Sequence, residues 1–257
     1  MSRTFRTFLF LLSVVFIACS GSEVVETPTA EQRFRLGMDE FLDENYLEAL
    51  NHFEVIRLQF PGSAVADSAR LYTGIARFRR EEFLMASYEF NQLIQSGTTR
   101  DILPEAYFMF AQCYYEMSPN VKLDQTNSMR AIDALQNFVE AFPTHPKAQT
   151  AEKQVIELVN KLAEKEYNTA VLYEKLENRE SALVYYNTVV DRYYSTQFAE
   201  PAAAAKVRIL VRLRRYAQAE SAAKDFLERY PDSPLRSEVM DQQSSIEALR
   251  ASSATGK

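Results

Sequence analysis

The sequence predicts an all-α chain built as a stack of helix–turn–helix repeats. Three observations predict it. Gly and Pro are few, at 6 and 9 among 257 residues, and Ala, Leu, Glu, Arg and Gln, which favour helices, abound. Val and Ile fall at helical spacing, and no alternating run of useful length marks a strand. One pattern recurs: a large residue, Ala three positions on, a bulky residue one turn later, then a helix end, several times at Pro.

In chain order, the first element is not part of that stack. Arg3 and Arg6 precede the apolar run Phe8–Ala18, and no acidic residue comes before Glu23. The run is too short to cross a bilayer, which takes about 20 apolar residues. A basic start, a short apolar stretch and a small residue at its end describe a secretory signal over residues 1–18. Phe16-Ile17-Ala18-Cys19 resembles a bacterial lipobox, although Phe16 stands where Leu is preferred. That resemblance implies that Cys19 becomes a lipidated N-terminus held in outer-membrane lipid. Ser20 implies the inner leaflet of the outer membrane, facing the periplasm. One acyl chain anchors only marginally, so a stable hold needs more than one. Residues 19–29 read as a flexible tether, small, polar and extended at Pro28. Ten extended residues reach roughly 30 Å.

Five copies of the pattern follow. Tyr46 and Ala49 lead to Phe53 and Pro61; Phe83 and Ala86 lead to Phe90. Ser128 and Ala131 lead to Leu135 and Pro143; Arg179 and Ala182 lead to Tyr186. Tyr216 and Ala219 lead to Ala223 and Pro231. Gly37 and Gly74 stand the same distance ahead of Ala49 and Ala86. A small Ala lets paired helices approach, a bulky residue one turn later fills the gap, and Pro ends the ladder. These are landmarks of the tetratricopeptide repeat, a unit of about 34 residues. The expected fold is a tetratricopeptide-repeat right-handed superhelix of about five units. Copy three carries an insert around residues 118–127. Copy four begins with a run from Lys147 to Leu176 free of Gly and Pro, read as one helix of roughly 45 Å bridging two halves. The halves are residues 30–146 and 147–250, the second closing on a capping helix with Val239, Ile246 and Leu249. Residues 251–257 read as a disordered tail.

The chain offers little to catalysis. The formal net charge is −6 and grows more negative if Arg3 and Arg6 leave, which disfavours nucleic acid. His52 and His145 have no ligand at metal spacing, and His52 reads as exposed. No nucleophile elbow, P-loop or zinc helix motif is present, so no cofactor, metal or catalytic residue is expected. With Cys19 lipidated, Cys113 lacks a disulfide partner and reads as a buried small hydrophobe. Tyr72, Tyr107, Tyr114, Tyr185 and Tyr186 read as repeat packing. What remains is a binding scaffold. A repeat solenoid offers a concave face, and register places Phe34, Met38, Phe41, Leu71, Ile75, Phe78 and Arg79 along it. That lining suits an apolar segment, with Arg79 for a carboxylate; the same residues also suit inter-helix packing. Lys206, Arg208, Arg212, Arg214 and Arg215 form a basic stretch, with Arg208 and Arg212 on one face. It reads either as a site for an acidic partner, carried by Arg208, Arg212 and Arg215, or as a solvated helix face.

The start CSGSE, the repeat ends QFPGS and RYPDSP, and the stretch KLAEKEYNTAVLYEKLENRESALVYYNTVVDRY together resemble the BamD family. Its members are lipoproteins of the outer-membrane β-barrel assembly machine. The resemblance implies a non-enzymatic scaffold. It implies C-terminal repeats that bind the periplasmic domains of BamA. It also implies N-terminal repeats that receive the C-terminal segments of unfolded outer-membrane proteins, with other Bam lipoproteins as further partners. Family members often place an Arg in the second helix of the fourth repeat; here the nearest position is Tyr186, so that contact does not carry over. A rival reading is a periplasmic tetratricopeptide adaptor of another envelope system, such as division, peptidoglycan coordination or polysaccharide export.

Overall fold

The stack begins where a helix can be capped. Thr29 Oγ1 accepts from the Gln32 amide at 3.2 Å, and the Gln32 side chain accepts from the Thr29 amide at 2.8 Å. This reciprocal box satisfies two N-terminal donors and opens α1, Ala30–Leu42. A computed structural model describes residues 27–97 and 101–255. The signal segment 1–18, Cys19 and the tether up to residue 26 lie outside the described residues.

Five helix pairs follow in order, with no strand among the described residues. α1 pairs with α2 (Tyr46–Gln59), α3 (Ala66–Arg79) with α4 (Phe83–Ser96), and α5 (Leu103–Glu116) with α6 (Thr126–Ala141). α7 (Ala148–Lys175) pairs with α8 (Arg179–Arg192), and α9 (Ala199–Arg212) with α10 (Tyr216–Arg229). α11 (Arg236–Thr255) closes the stack against both helices of the fifth pair. Each helix packs chiefly on its sequence neighbours, as a solenoid must. α11 runs past the boundary expected at residue 250, so residues 251–255 are helical.

The repeated alanines are all sealed: Ala49, Ala86, Ala131, Ala182 and Ala219 are each 0% exposed. The residue one turn later is buried in every copy, and it is bulky in the first four. Opposite it, the first helix of repeats one and two offers a glycine. Gly37 faces Phe53 and Gly74 faces Phe90. Ala111 shares a buried cluster with Leu135, Ala170 with Tyr186, and Val207 with Ala223. In the first two repeats a glycine on the first helix makes room for a ring on the second, as close packing demands. A Cβ added at Gly74 would meet the Phe90 ring at 2.6 Å, so a larger residue there displaces the ring.

Four of the intra-repeat turns share one strained residue. Glu44, Glu81, Glu177 and Arg214 sit at φ 63, 61, 58 and 60°. Each lies two positions before the second helix of its repeat. The amide that follows bonds back across the turn, as Asn45 does to the Glu40 carbonyl at 2.9 Å and Arg215 to Leu210 at 2.9 Å. This is the Schellman helix end, which prefers Gly at the left-handed position. Repeat three instead inserts residues 117–125, held by side chains. Gln125 Nε2 donates to the Asn120 and Leu123 carbonyls at 2.9 and 3.0 Å. Lys161 donates to Ser118 Oγ at 2.9 Å and Lys165 to the Leu123 carbonyl at 2.5 Å, both from α7.

α7 is the long bridging helix, 28 residues or about 42 Å. Its first half, with Ala151, Leu158 and Leu162, belongs to the core of repeat three. Its second half, with Ala170 and Tyr167, belongs to that of repeat four. Cys113 is fully buried beside Ala86 and Phe90, and burial pushes its thiol up to about 12. His52 corrects the expectation of exposure: it is half-buried on α2, with Nδ1 sealed from solvent and unpartnered among the described residues. The Cβ of His52 lies beside Gly37, where the close approach of α1 covers it.

Candidate partner-binding surfaces

The N-terminal face is built from two adjoining clusters. Phe34, Met38 and Phe41 project from α1 onto Ala49, Phe53, Ile56 and Ala69. Tyr72 of α3 joins them, with ring centroids 6.0 Å from Phe34 and 5.3 Å from Phe41. Leu71, Ile75 and Phe78 lean on Ala86, Phe90 and Cys113. All six predicted apolar residues are half-buried, and Arg79 is exposed at the end of α3. Each side chain therefore serves helix packing first and leaves part of its surface accessible. More exposed apolar residues lie elsewhere. Leu42, Leu47, Leu84 and Met85 are each more than half exposed, where the first helix of a repeat ends and the second begins. Sequence reasoning passed over them because they fall off the buried stripe, where apolar residues carry no periodic signal.

Arg208 and Arg212 of α9, and Arg215 just beyond it, each engage a carboxylate of this chain. Arg208 forks onto Glu174 of α7, with Nε and Nη2 at 3.2 and 3.1 Å from its two oxygens. The same guanidinium reaches Glu238 of α11 at 3.3 Å. Arg212 adds a third bond to Glu174 at 3.2 Å, and Arg215 pairs with Glu180 of α8 at 2.8 Å. The Tyr186 hydroxyl donates to Glu174 Oε2 at 2.9 Å. Desolvation alone would raise the Glu174 carboxyl, but the bonds from Arg208 and Tyr186 and the two nearby cations outweigh it and hold it below its ordinary range. Burial and the Glu174 bond together push the Tyr186 phenol well above its ordinary value. One carboxylate thus ties α7, α8, α9 and, through Arg208, α11. Arg212 and Arg215 still expose 48% and 42% of their side chains, against 33% for Arg208.

A contrasting network lies in the N-terminal half. Glu89 of α4 is buried, and desolvation raises its carboxyl against the lowering effect of Arg70, Arg77 and Arg57. Arg70 approaches at 3.8 Å without a hydrogen bond, so the compensation is weak. Arg57 pairs closely with Glu54, and Arg77 with Glu82 at 3.3 Å.

Among the described residues, no group of three or more His, Cys, Asp or Glu is placed to hold a metal. His145 accepts from the Lys147 amide at 3.2 Å and packs edge-on to Phe138, a turn-forming role. No helix of the described residues is long and apolar enough to cross a membrane.

Comparison with known proteins places this arrangement. A relative from Caulobacter vibrioides, named outer membrane protein assembly factor BamD, is 24% identical over 72% of this chain and 63% of its own length. The chain thus spans less than two thirds of that relative. A second relative of the same name, from Pasteurella multocida, is 24% identical over 74% of this chain and 77% of its own. A solved tetratricopeptide protein from Bacteroides fragilis aligns with a TM-score of 0.45 and 18% identity, covering 87% of this chain and all of that one. At that score the fold assignment rests on the helix pairing described above. The model of a family described as outer membrane lipoprotein, YfiO, matches residues 27–224. The chain belongs to the YfiO family of outer-membrane lipoproteins.

Proposed function

We propose that this chain is a non-catalytic scaffold of the machinery that assembles outer-membrane β-barrels. The observation that carries the reading is the family match across residues 27–224, over a stack of helix pairs. Lipidation at Cys19 would hold the stack at the inner leaflet of the outer membrane, facing the periplasm. In this reading the C-terminal repeats bind the periplasmic domains of BamA. Arg212 and Arg215 make the contact, because they keep accessible charge; Arg208 shares Glu174 with Arg212, and Glu180 holds Arg215. The accessible parts of Phe34, Met38, Phe41, Leu71, Ile75 and Phe78 receive the C-terminal segments of unfolded outer-membrane proteins, and Arg79 meets their carboxylate. Other Bam lipoproteins complete the assembly.

The test mixes the purified mature protein with purified BamA periplasmic domains and follows co-elution. A stable complex is expected, weakened by Arg212→Glu with Arg215→Glu while the helical signal is kept. Failure of the parent protein to co-elute would remove the BamA reading. A peptide copying the C-terminus of an outer-membrane protein should bind the same preparation and lose affinity on Arg79→Glu.

A further inference from the structure

α7 is twice as long as the helix paired with it. It has 28 residues against 14 in α8, whereas the two helices of every other pair match closely in length. α8 covers only the second half. There Ala170 shares a buried cluster with Ala182 and Tyr186. Tyr173 stacks on Tyr185 with ring centroids 5.4 Å apart, and Glu174 accepts from the Tyr186 hydroxyl at 2.9 Å. Five turns of an α-helix take 18 residues, so the positions five turns before these three share their face. They are Glu152, Val155 and Ile156. α8 ends at Arg192, and Tyr193 just beyond it packs on the cluster of Leu158 and Leu162. The first half of α7 therefore continues the face that seats α8, with no second helix over it.

That continuation is open and chemically uniform. A hollow of about 520 Å³ lies between α6 and α7, lined by Gln136, Val139, Glu140, Glu152, Val155 and Ile156. Its floor is apolar. Val139 and Val155 are half-buried, and Ile156 is 61% exposed. A lone exposed Ile needs no explanation; this one stands on a helix-seating face beside two valines. Glu140 and Glu152 are exposed on either wall, and neither has a hydrogen-bond or ion-pair partner among the described residues. Asp133, two turns before Glu140 on α6, adds a third exposed carboxylate. Lys153, exposed next to Glu152 in sequence, does not line the hollow. Every charged group of the lining is thus an acid. The complement of such a surface is an apolar stripe with cations along its edges.

We propose that the uncovered half of α7 docks an amphipathic helix of a partner protein, about four turns long, apolar toward Val155 and Ile156 and basic along its flanks. Its length is that of the α7 surface α8 leaves bare, and it lies where a longer α8 would run. A helix bonds its own backbone groups, so it covers an apolar floor without leaving them unpaired; an extended segment brings donors and acceptors that this floor cannot meet. A second copy of this chain, with a net charge of −6, is the poorer match in charge. None of the residues assigned above to BamA or to client segments lines the hollow, and the proposal does not rest on the assembly-machinery reading.

The test uses the full mature chain with Cys19→Ser, so that no lipid or detergent competes for the probe. The probe is a fluorescein-labelled peptide, Lys-Leu-Lys-Gln-Ala-Leu-Gln-Lys-Leu-Lys-Gln-Leu-Ala-Gln, read by anisotropy. One control peptide carries Glu in place of every Lys, and another carries Pro at its centre, which breaks the helix. Saturable binding of the probe is expected, about tenfold tighter than either control and weakening with salt. Ile156→Gln, at an exposed position, should weaken it by about tenfold at unchanged circular dichroism. Glu140→Lys with Glu152→Lys should do the same. A basic peptide is drawn to any acidic chain, so Glu31→Lys with Glu228→Lys, remote from α7, serves as the charge control and should leave binding as it was. No saturable binding, equal affinity for a control peptide, or equal weakening by the remote pair would each overturn the proposal. So would a dimer in sedimentation that Ile156→Gln dissociates, since the seat would then belong to a second copy.

Discussion

Repeats two and four occupy the same structural position with different physics. In repeat two, Phe90 fills the space over Gly74, and the contact is apolar. In repeat four, Tyr186 shares a buried cluster with Ala170, and its hydroxyl reaches Glu174 at 2.9 Å. The first solution depends on shape alone and joins α3, α4 and α5. The second adds a carboxylate that collects Arg208 and Arg212 and so couples the fourth and fifth repeats with the capping helix. Burial without a close partner costs Glu89 its ordinary acidity; burial with three donors enhances that of Glu174. The lesson is that a repeat can exchange apolar volume for a polar junction without changing its helix geometry, provided every donor and acceptor is matched.

The largest expected effect tests the apolar solution. Phe90→Ala removes a fully buried ring above a glycine that cannot fill the gap, and should cost about 3–5 kcal/mol by chemical denaturation. Tyr186→Phe keeps the ring and loses only one bond to a carboxylate, about 1–2 kcal/mol. Equal losses in the two variants would break the comparison.

Glu174→Gln comes next. It leaves Arg208 and Arg212 without their shared counter-charge, and should cost about 1–2 kcal/mol, since both arginines are partly solvated. Hydrogen exchange should quicken in α9 and α11 and stay unchanged in α1–α4. Uniform quickening along the stack would show that the clamp does not localise.

The two acids also predict opposite responses to pH. The Glu174 carboxyl is held below its ordinary value, so its contribution is full above the ordinary glutamate range and is lost as pH falls through the depressed value. The Glu89 carboxyl is raised, so its ionised form destabilises at neutral pH and protonation on acidification relieves the penalty. Between neutral pH and about 4, α3–α4 should therefore gain exchange protection in the parent relative to Glu89→Gln, with Glu54 opposing that gain only at the acid end. Below that, α7–α9 should lose protection in the parent relative to Glu174→Gln. The same sign in both halves would contradict the assignment.

The smallest effect lies in the turns. Glu81 at φ 61° bears a left-handed penalty that Gly escapes, partly offset by the greater freedom of Gly in the unfolded chain. Glu81→Gly should stabilise by roughly 0.5 kcal/mol, and a comparable loss would show that the side chain contributes more than the backbone strain.

How much of this was legible depends on the distance over which the signal acts. Ala49, Ala86, Ala131, Ala182 and Ala219 announced the repeats because helical spacing is local, and all five are sealed. The long α7 was readable from the absence of Gly and Pro between Lys147 and Leu176. The fate of Arg208 was not, because its partner Glu174 lies 34 residues away on another helix. A charge run looks the same in sequence whether it faces solvent or a half-buried carboxylate. His52 was misread for a similar reason, since what covers it is the glycine of a neighbouring helix. The predicted apolar face was half legible: register gave the residues, but not their division between packing and accessible surface.

The central claim is that these repeats serve β-barrel assembly, and the most direct measurement is capture of the tagged protein from detergent-solubilised envelopes with quantification of what accompanies it. The account predicts BamA at near-stoichiometric yield. Absence of BamA, with a different envelope complex in its place, would contradict it and leave the repeat fold standing alone.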